Sequence, residues 1–495
     1  MGRGLLAQAT VHKKSMIAVA VSIILTGAPH MMQAAQITPN PNPAGSTIDI
    51  INDPFSVNNE NPYSNGGTIN IDSRSTLTNS VGATLNNYDL LGTGRFSTLT
   101  NAGTLNNVGT LSNFDGSTLT NSVGARLNNY GLLGNGGIST LTNDGRLNNF
   151  AGATLVTGFF STLTNTGTLN NFAGASLSDS EGHVVNSVGG TLNNLGLLNT
   201  NSTILINDGT LNNFGSWRSG RGGVSTSVTN SVGARLNNYG LLDNDFVGLG
   251  RPGITLANAG TLNNVAGATL TGILNNTGTL TNAGTLNNYF ALGNAGTLIN
   301  TGLIAGLPFP VSGNYIQTAG QTINNGTLSQ PSGVDIQGGS LRGTGTINAP
   351  VVTLSSGAIL SPGDATTFGT LTINGNLQSS GNLMFRIGGL GAGQQFDVLA
   401  IHGMAFLNGG TVGFNFVNFT PVAGNSWDFL YAGAISGWDT LHFFFSSSSP
   451  DLAYAFNYSN GVETLRVVSV PEPSSLLLSV LGLGGLGLWR RLKGV

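Results

Sequence analysis

The residues of this sequence that could do chemistry are few and scattered. The densest titratable group is Asp179, Glu181 and His183, which lie within one short segment that interrupts a surrounding repeat. Carboxylates beside a histidine could provide acid–base catalysis or metal ligands. An insertion into a repeat is more often a solvent-exposed loop, so a loop is the favoured interpretation over a catalytic or metal site.

The remaining candidates are isolated. Asp243 and Asp245 in "LLDNDF" could pair across a turn, but with no third ligand nearby a polar turn is the better interpretation. His402 and His442 have no evident partner. A polysaccharide lyase or glycosidase needs clustered carboxylates, whereas the 20 acidic residues here are thinly spread. The sequence therefore predicts no catalytic, cofactor-binding or metal-binding residues and no enzyme, with a carbohydrate-active enzyme as the alternative.

One glycine motif imitates a nucleotide-binding loop. "GLGGLG" places Gly482, Gly484 and Gly487 in the pattern G-x-G-x-x-G. The motif requires a preceding strand and a later acidic residue for the ribose, and the sequence supplies neither. We therefore interpret it as an accident of a glycine-rich apolar segment, and no cofactor is predicted.

The composition excludes several classes of function. Only 7% of residues are charged and the net charge is −3 without a strongly basic stretch, so a nucleic-acid partner has no electrostatic support. Apolar content is 39%, too high for an ordinary disordered chain. The absence of cysteine rules out disulfides, thiolate metal sites and cysteine nucleophiles.

The elements that must position any site come from one repeat, Leu-x-Asn followed by a glycine turn, between about residues 69 and 301. The triplet Leu-Asn-Asn recurs every 20 to 23 residues, beginning at Leu85, Leu105, Leu127, Leu147, Leu169 and Leu192. Later the step is six residues, at Leu256, Leu262, Leu274, Leu280, Leu286, Leu292 and Leu298, with Ala268 in the series. Six residues hold a short strand and a bend, and three such units make one coil.

These spacings predict an all-β fold, a parallel β-helix or β-solenoid, with right-handed winding favoured over left-handed. An unstructured Asn/Gly tract is the alternative, but the strict leucine register argues against it. Stacked coils should form a buried leucine column, asparagine amide ladders and a further column that is often aromatic, at Tyr88, Tyr130, Phe150, Phe172, Phe214, Tyr239 and Tyr289. We assign residues 69–304 to this solenoid, and at about 20 residues and 4.8 Å per coil, residues 69–301 would form a rod of roughly 55 Å.

The flanking regions complete the predicted organisation. Residues 36–68 are interpreted as a linker or N-terminal cap, residues 305–380 as continuing coils, and residues 381–469 as a β-sandwich-like cap rich in Phe and Trp that closes the last coil. The stretch from residue 305 to the end of this cap resembles autotransporter passenger segments, which leaves an autotransporter-type adhesin as a further alternative.

The N-terminal segment has the features of an export signal. Lys13 and Lys14 precede an apolar stretch, "MIAVAVSIILTGA", and the small residues Ala34 and Ala35 offer a cleavage site. We therefore predict a signal peptide over residues 1–35 and the Sec translocon as a partner, with a buried N-terminal helix as the alternative.

The C-terminal segment, residues 470–495, has three parts in order. Pro471, Glu472 and Pro473 are followed by an apolar stretch from Leu476 through Leu481 and Leu486 to Trp489, and then by Arg490, Arg491 and Lys493. An α-helix over residues 474–491 would be roughly 27 Å long, just enough to cross a bilayer, with the cations on the cytoplasmic side. An ordinary tail anchor has a similar layout.

The tripeptide, helix and basic tail together resemble the PEP-CTERM sorting signal of exported bacterial proteins. The resemblance implies an exosortase as partner, acting at the tripeptide, and transient retention in the inner membrane by one C-terminal transmembrane helix. We therefore expect an exported surface or extracellular-matrix structural protein, related to adhesion or biofilm, with extracellular polysaccharide or glycans as a further partner.

Overall fold

The computed structural model describes residues 9–12, 35–51, 57–201, 204–219, 227–244, 255–307, 313–447 and 452–470. The chain forms an all-β parallel β-solenoid of about 14 turns, and the described residues contain a single 3-10 helix, Trp438–Thr440. The predicted fold class is thus confirmed. The chain divides into two compact units, residues 1–315 and 316–495.

The repeating strand of the first unit is the tetrad Thr-Leu-x-Asn. In Thr98–Asn101 the leucine and asparagine are buried and the other two residues are half-buried, as the period of two in a strand requires. Neighbouring coils pair in parallel and in register, so that Leu99 lies opposite both Leu77 and Leu119. Each leucine thereby stacks on its copies, and full burial of such a side chain stabilises by about 1.5–3 kcal/mol.

Each coil contains three strands, which stack into three columns. The first column comprises Ala35–Gln36, Val57–Asn59, Thr76–Asn79, Thr98–Asn101, Thr118–Asn121, Thr140–Asn143, Thr162–Asn165, His183–Asn186, Ile204–Asn207, Ser227–Asn230, Thr255–Asn258 and the later parts of Thr269–Asn276 and Thr285–Asn294. The second column comprises Tyr63–Asn65, Thr84–Asn87, Thr104–Asn107, Arg126–Asn129, Arg146–Asn149, Thr168–Asn171, Thr191–Asn194, Thr210–Asn213, Arg235–Asn238, Thr261–Asn264, Thr279–Asn282 and Thr297–Asn300.

The third column comprises Thr47–Ile51, Thr68–Asp72, Leu90–Thr93, Thr110–Asn113, Leu132–Asn135, Thr154–Gly158, Ser176–Ser180, Leu197–Asn201, Ser216–Ser219, Leu241–Asp243, the earlier parts of Thr269–Asn276 and Thr285–Asn294, and Leu303–Gly306. Ala9–His12 pairs antiparallel with Thr47–Ile51. Parallel pairing is present from Ala35–Gln36 onward, upstream of residue 69. Residues 1–8 and 13–34 of the predicted signal peptide lie outside the described residues.

Two kinds of glycine turn join the strands. In four-residue turns such as residues 122–125 the glycine is left-handed, as Gly124 is at φ 80°. In two-residue turns the glycine is needed for space, because a Cβ on Gly131 would lie 2.1 Å from the carbonyl oxygen of Gly109 one coil below. The sequence predicted only the first reason.

The second unit continues the parallel pairing and ends in an antiparallel hairpin. One column comprises Gln321–Asn324, Ser340–Gly343, Ile359–Pro362, Asn382–Ile387, Thr411–Phe416 and His442–Phe445. The other strands are Asn314–Gln317, Thr327–Ser329, Val334–Ile336, Thr346–Leu354, Thr370–Ser379, Val398–Leu407 and Ser426–Ser436. The hairpin is Leu452–Ser459 and Val462–Ser469, and its second strand also pairs with Ser426–Ser436.

Candidate functional site

The structure separates the three residues of the densest titratable group. Asp179 points inward and is 2% exposed, Glu181 is exposed at a turn with φ 63°, and His183 is half-buried at the start of the next strand. Asp179 faces the interior while Glu181 lies exposed at the turn, so the three side chains do not form one cluster. Among the described residues, no group of three or more His, Asp or Glu side chains could hold a metal ion.

The other candidates are also separated. Asp243 is half-buried and lies in register with Arg218 of the preceding coil, while Asp245 lies outside the described residues. His402 and His442 are exposed on two different strands of the second unit.

The solenoid contains two buried asparagine ladders, rows of hydrogen-bonded side-chain amides that lie at the ends of the strands in the first and second columns. In the first ladder, Nδ2 of Asn79 donates to Oδ1 of Asn101 at 2.6 Å and to the carbonyl oxygen of Thr104 at 2.9 Å. The same bond joins successive coils from Asn59 to Asn294. The second ladder runs from Asn42 to Asn300. Both amide protons of a typical member are therefore used, as burial of a polar group requires.

A third amide ladder faces outward and runs in the opposite direction. Asn128 donates from Nδ2 to Oδ1 of Asn106 in the preceding coil at 2.8 Å, whereas Asn129, its neighbour, donates to Asn149 in the following coil. The outward series is Asn86, Asn106, Asn128, Asn148, Asn170, Asn193, Asn212, Asn237 and Asn263. Each bond uses one amide proton, so the row keeps hydrogen-bonding capacity toward a partner.

The aromatic column predicted after Leu-Asn-Asn is present on the surface. The rings of Tyr130 and Phe150 stack with centroids 4.5 Å apart, those of Phe150 and Phe172 at 5.0 Å, and those of Phe214 and Tyr239 at 4.5 Å. Their faces cover one another and leave mainly ring edges toward solvent. The column therefore stabilises the corner rather than offering flat platforms for sugar rings.

The second unit contains a buried ion pair that the sequence analysis missed. Nε of Arg386 donates to Oδ2 of Asp397 at 2.8 Å, Nη2 donates to Oδ1 at 2.9 Å, and the backbone N–H of Gly369 donates to Oδ1 at 3.2 Å. Burial raises the pKa of the fully buried Asp397 carboxyl, against the opposing effect of the Arg386 bonds. Nothing in "MFRIGG" or "QQFDVL" signals this pairing.

A second buried carboxylate lies in the final hairpin. Glu463 is 3% exposed, and burial raises its pKa to about 7. Its strand register places it opposite Leu430 on one side and Tyr458 on the other. Strand alternation alone would have predicted that Glu463 points inward, but it would not have predicted that the pKa of its carboxyl is raised.

The hairpin leads directly into the predicted sorting segment. Val462–Ser469 pairs with Leu452–Ser459 up to its last residue, and Ser469 and Val470 are exposed. The predicted site residues Pro471, Glu472, Pro473, Leu476, Leu481, Leu486, Trp489, Arg490, Arg491 and Lys493 lie outside the described residues. The described residues form no apolar helix long enough to span a membrane.

The comparisons identify this segment. A family model of the PEP-CTERM protein-sorting motif matches residues 469–491. No curated protein matches the chain. The chain thus combines a PEP-CTERM sorting motif with a β-solenoid, as the sequence predicted, and the motif implies export, processing by an exosortase and a cell-surface or extracellular destination.

Proposed function

We propose that the protein is a structural rod of the bacterial surface or extracellular matrix that contributes to adhesion or biofilm formation, and that it is not an enzyme. The signal peptide directs it through the Sec translocon. A C-terminal transmembrane helix holds it in the inner membrane until the exosortase acts at Pro471–Pro473.

The observation that supports a structural role is the continuity of the asparagine ladders. Every coil from Asn59 to Asn294 is bonded to the next through buried amides, in addition to the strand hydrogen bonds. A chain joined this way resists bending, because each bend would break buried hydrogen bonds. The dispersal of Asp179, Glu181 and His183 favours this role over a carbohydrate-active enzyme.

The outward amide ladder supports extracellular polysaccharide as the partner. Asn106 and Asn128 present half-buried amides, and Asn148 an amide of a 9% exposed residue, at the repeat of the strands, about 4.8 Å. On the same face Thr104 flanks Asn106, and the exposed Arg126 and Arg146 flank Asn128 and Asn148. Amide and guanidinium donors in register suit a hydroxyl-rich polymer, including one that carries carboxylates.

The test is a gene deletion in the source bacterium, complemented in parallel by three versions of the chain. Wild type should restore cell aggregation and matrix. The chain with alanine at Pro471, Glu472 and Pro473 should not, because it stays unsorted. A chain with serine at Asn106, Asn128 and Asn148 should be exported and folded but hold less polysaccharide. Unchanged aggregation and matrix in the deletion strain would refute the role, and polysaccharide turnover by the purified protein would favour the enzyme.

A further inference from the structure

The corner between the third strand column and the next coil is built unlike the other corners. Six successive turns there stack on one another, centred on Ser73–Arg74, Arg95–Phe96, Asp115–Gly116, Gly137–Ile138, Phe159–Phe160 and Glu181–Gly182. In the first five turns both central residues are left-handed, with φ between 43° and 75°. Such turns normally take Asn and Gly, and a left-handed non-glycine residue costs roughly 1–2 kcal/mol.

The stacked turns are bonded to one another through the backbone. The N–H of Phe96 donates to the carbonyl oxygen of Asp115 at 3.1 Å, and the N–H of Ile138 donates to that of Phe159 at 3.0 Å. Buried serines close the second, third and fifth turns through a bond to their own coil, as Ser97 Oγ donates to the carbonyl oxygen of Gly94 at 2.5 Å. The tips are therefore held in fixed positions.

These turns display large apolar side chains to solvent. The apolar ridge consists of Phe96, Phe114, Ile138, Phe159 and Phe160, which are 62%, 41%, 62%, 69% and 71% exposed. The ring of Phe96 lies over Gly116, and that of Phe114 lies over Gly136. Exposed aromatic residues in a costly backbone conformation mark an interaction surface rather than a folding requirement.

The charges along the ridge indicate what covers it. The exposed Arg74 lies in the first turn and the exposed Glu181 in the sixth, while Arg95 is paired with Asp72 at 3.5 Å. A copy of the ridge turned end over end by a two-fold axis would bring Arg74 to Glu181 at both ends. It would also bring Phe96 to Phe160, and it would place Ile138 against the third turn of the other copy.

We propose that the apolar ridge is the interface between two copies of this chain, packed antiparallel about a two-fold axis between the third and fourth turns. Such an axis makes one patch complementary to itself. Asp115 lies near the axis and is left without an opposite charge by this packing. Asp115→Asn is therefore expected to strengthen the dimer.

Cysteine cross-linking of the full chain tests the packing, since the natural sequence has no cysteine. Ser73→Cys and Glu181→Cys variants are treated with a short bis-maleimide, separately and as a mixture. Equal positions in antiparallel copies are five coils apart, about 24 Å, so neither variant should cross-link alone, whereas the mixture should give a dimer. Cross-linking of each variant alone, or none in the mixture, would overturn the proposal.

Substitutions test the contacts. Cross-linking in the mixture of Ser73→Cys and Glu181→Cys chains is the readout for variants that leave both positions unchanged, and the sedimentation coefficient is the readout for all variants, including those at Glu181. Phe159→Asn with Phe160→Gly should reduce dimer at least tenfold while the thermal unfolding midpoint rises, because the turn loses its strain. Val123→Ser, which removes an equally exposed side chain from another corner, should change nothing. Glu181→Arg should also reduce dimer tenfold, and adding Arg74→Glu should restore it.

Two results would contradict the proposal. Self-association unchanged by Phe159→Asn/Phe160→Gly shows that the ridge is not the interface. Loss of co-sedimentation with polysaccharide or lipid vesicles in that variant, with its oligomeric state unchanged, assigns the ridge to that ligand instead.

Discussion

The side-chain amide of Asn143 donates from Nδ2 to Oδ1 of Asn165 at 2.7 Å, and both residues are buried. Asn143 also accepts from Asn121 and donates to the carbonyl oxygen of Thr168. One side chain therefore satisfies polar groups in both neighbouring coils. Most members of the ladder make the same set of hydrogen bonds to both neighbouring coils. Only another side-chain amide could replace them, because it must both donate and accept.

Replacement of Asn143 by alanine is expected to destabilise the first unit by about 2–4 kcal/mol, because it leaves buried groups on Asn121, Asn165 and Thr168 without partners. Equilibrium denaturant unfolding measures the loss. Thr142→Ala, on the outward side of the same strand, is the control and should cost less than about 1 kcal/mol. Equal effects of the two substitutions would show that the ladder contributes nothing particular.

Replacement of Arg386 by methionine is expected to destabilise the second unit by about 3–5 kcal/mol, because Asp397 is left as an uncompensated buried charge. Arg386 also donates to the carbonyl oxygen of Thr367, so removal frees a loop as well. The exposed Arg466, replaced in the same way, serves as the control. A loss no larger than that of the control would contradict the assignment.

The stability of the final hairpin is expected to fall as the pH rises from about 4.5 to about 7. The folded pKa of Glu463 is about 7, above its ordinary value of 4.5, so in this window the unfolded chain loses a proton that the folded chain retains. The decrease in unfolding free energy is at most about 3 kcal/mol. Hydrogen exchange of residues 452–469 at several pH values measures it, and Glu463→Gln should remove the slope.

Replacement of Ile138 by glycine is expected to stabilise the dilute, monomeric protein by about 0.5–1 kcal/mol, since the residue is left-handed at φ 62°. The matched control is Gly137→Ala in the same turn, where φ is 60° and a Cβ would lie 3.1 Å from the backbone nitrogen of Asp115. That change should destabilise. Thermal unfolding of both variants measures the difference, and effects of the same sign would disprove the strain.

Replacement of Pro471, Glu472 and Pro473 by alanine is expected to leave unprocessed protein in the inner membrane. The alanines remove the extended, proline-restricted segment that an exosortase would bind. Membrane fractionation and mass spectrometry of the C-terminus check the outcome, with a Ser474→Ala variant as control. Normal processing of the triple variant would place recognition elsewhere in the segment.

The repeat could be predicted from sequence because its signal depends on local spacing. The six-residue step around Leu256–Leu298 corresponds to coils of 18 residues, the separation of Asn258 and Asn276 in the ladder. The buried leucines and stacked amides follow from strand alternation and parallel register alone. Even the aromatic column after Leu-Asn-Asn was visible as a recurring position.

The apolar ridge and the buried carboxylates could not be predicted in the same way. Phenylalanine and isoleucine disfavour left-handed backbone, so "GRFS" gives no signal for its left-handed turn, and the glycines of "GGIS" indicate a turn without indicating a left-handed isoleucine. Their conformation is imposed by bonds to the turns above and below. The Arg386–Asp397 pair joins residues 11 positions apart through a loop whose path depends on the fold. The local sequence pattern therefore predicts neither the left-handed turns of the ridge nor the ion pair.

The direction of the buried ladders has a consequence for how the chain is made. In each ladder the earlier coil supplies the amide donors and the later coil the acceptors, while at the start Oδ1 of Asn42 is already occupied by the hydroxyl of Ser46. If the chain leaves a translocation pore N-terminus first, each emerging coil therefore meets a folded coil whose side-chain amides can donate hydrogen bonds to it. Such a rod can fold as it is secreted, one coil at a time, because each coil bonds to the one before it and does not depend on the rest of the polypeptide.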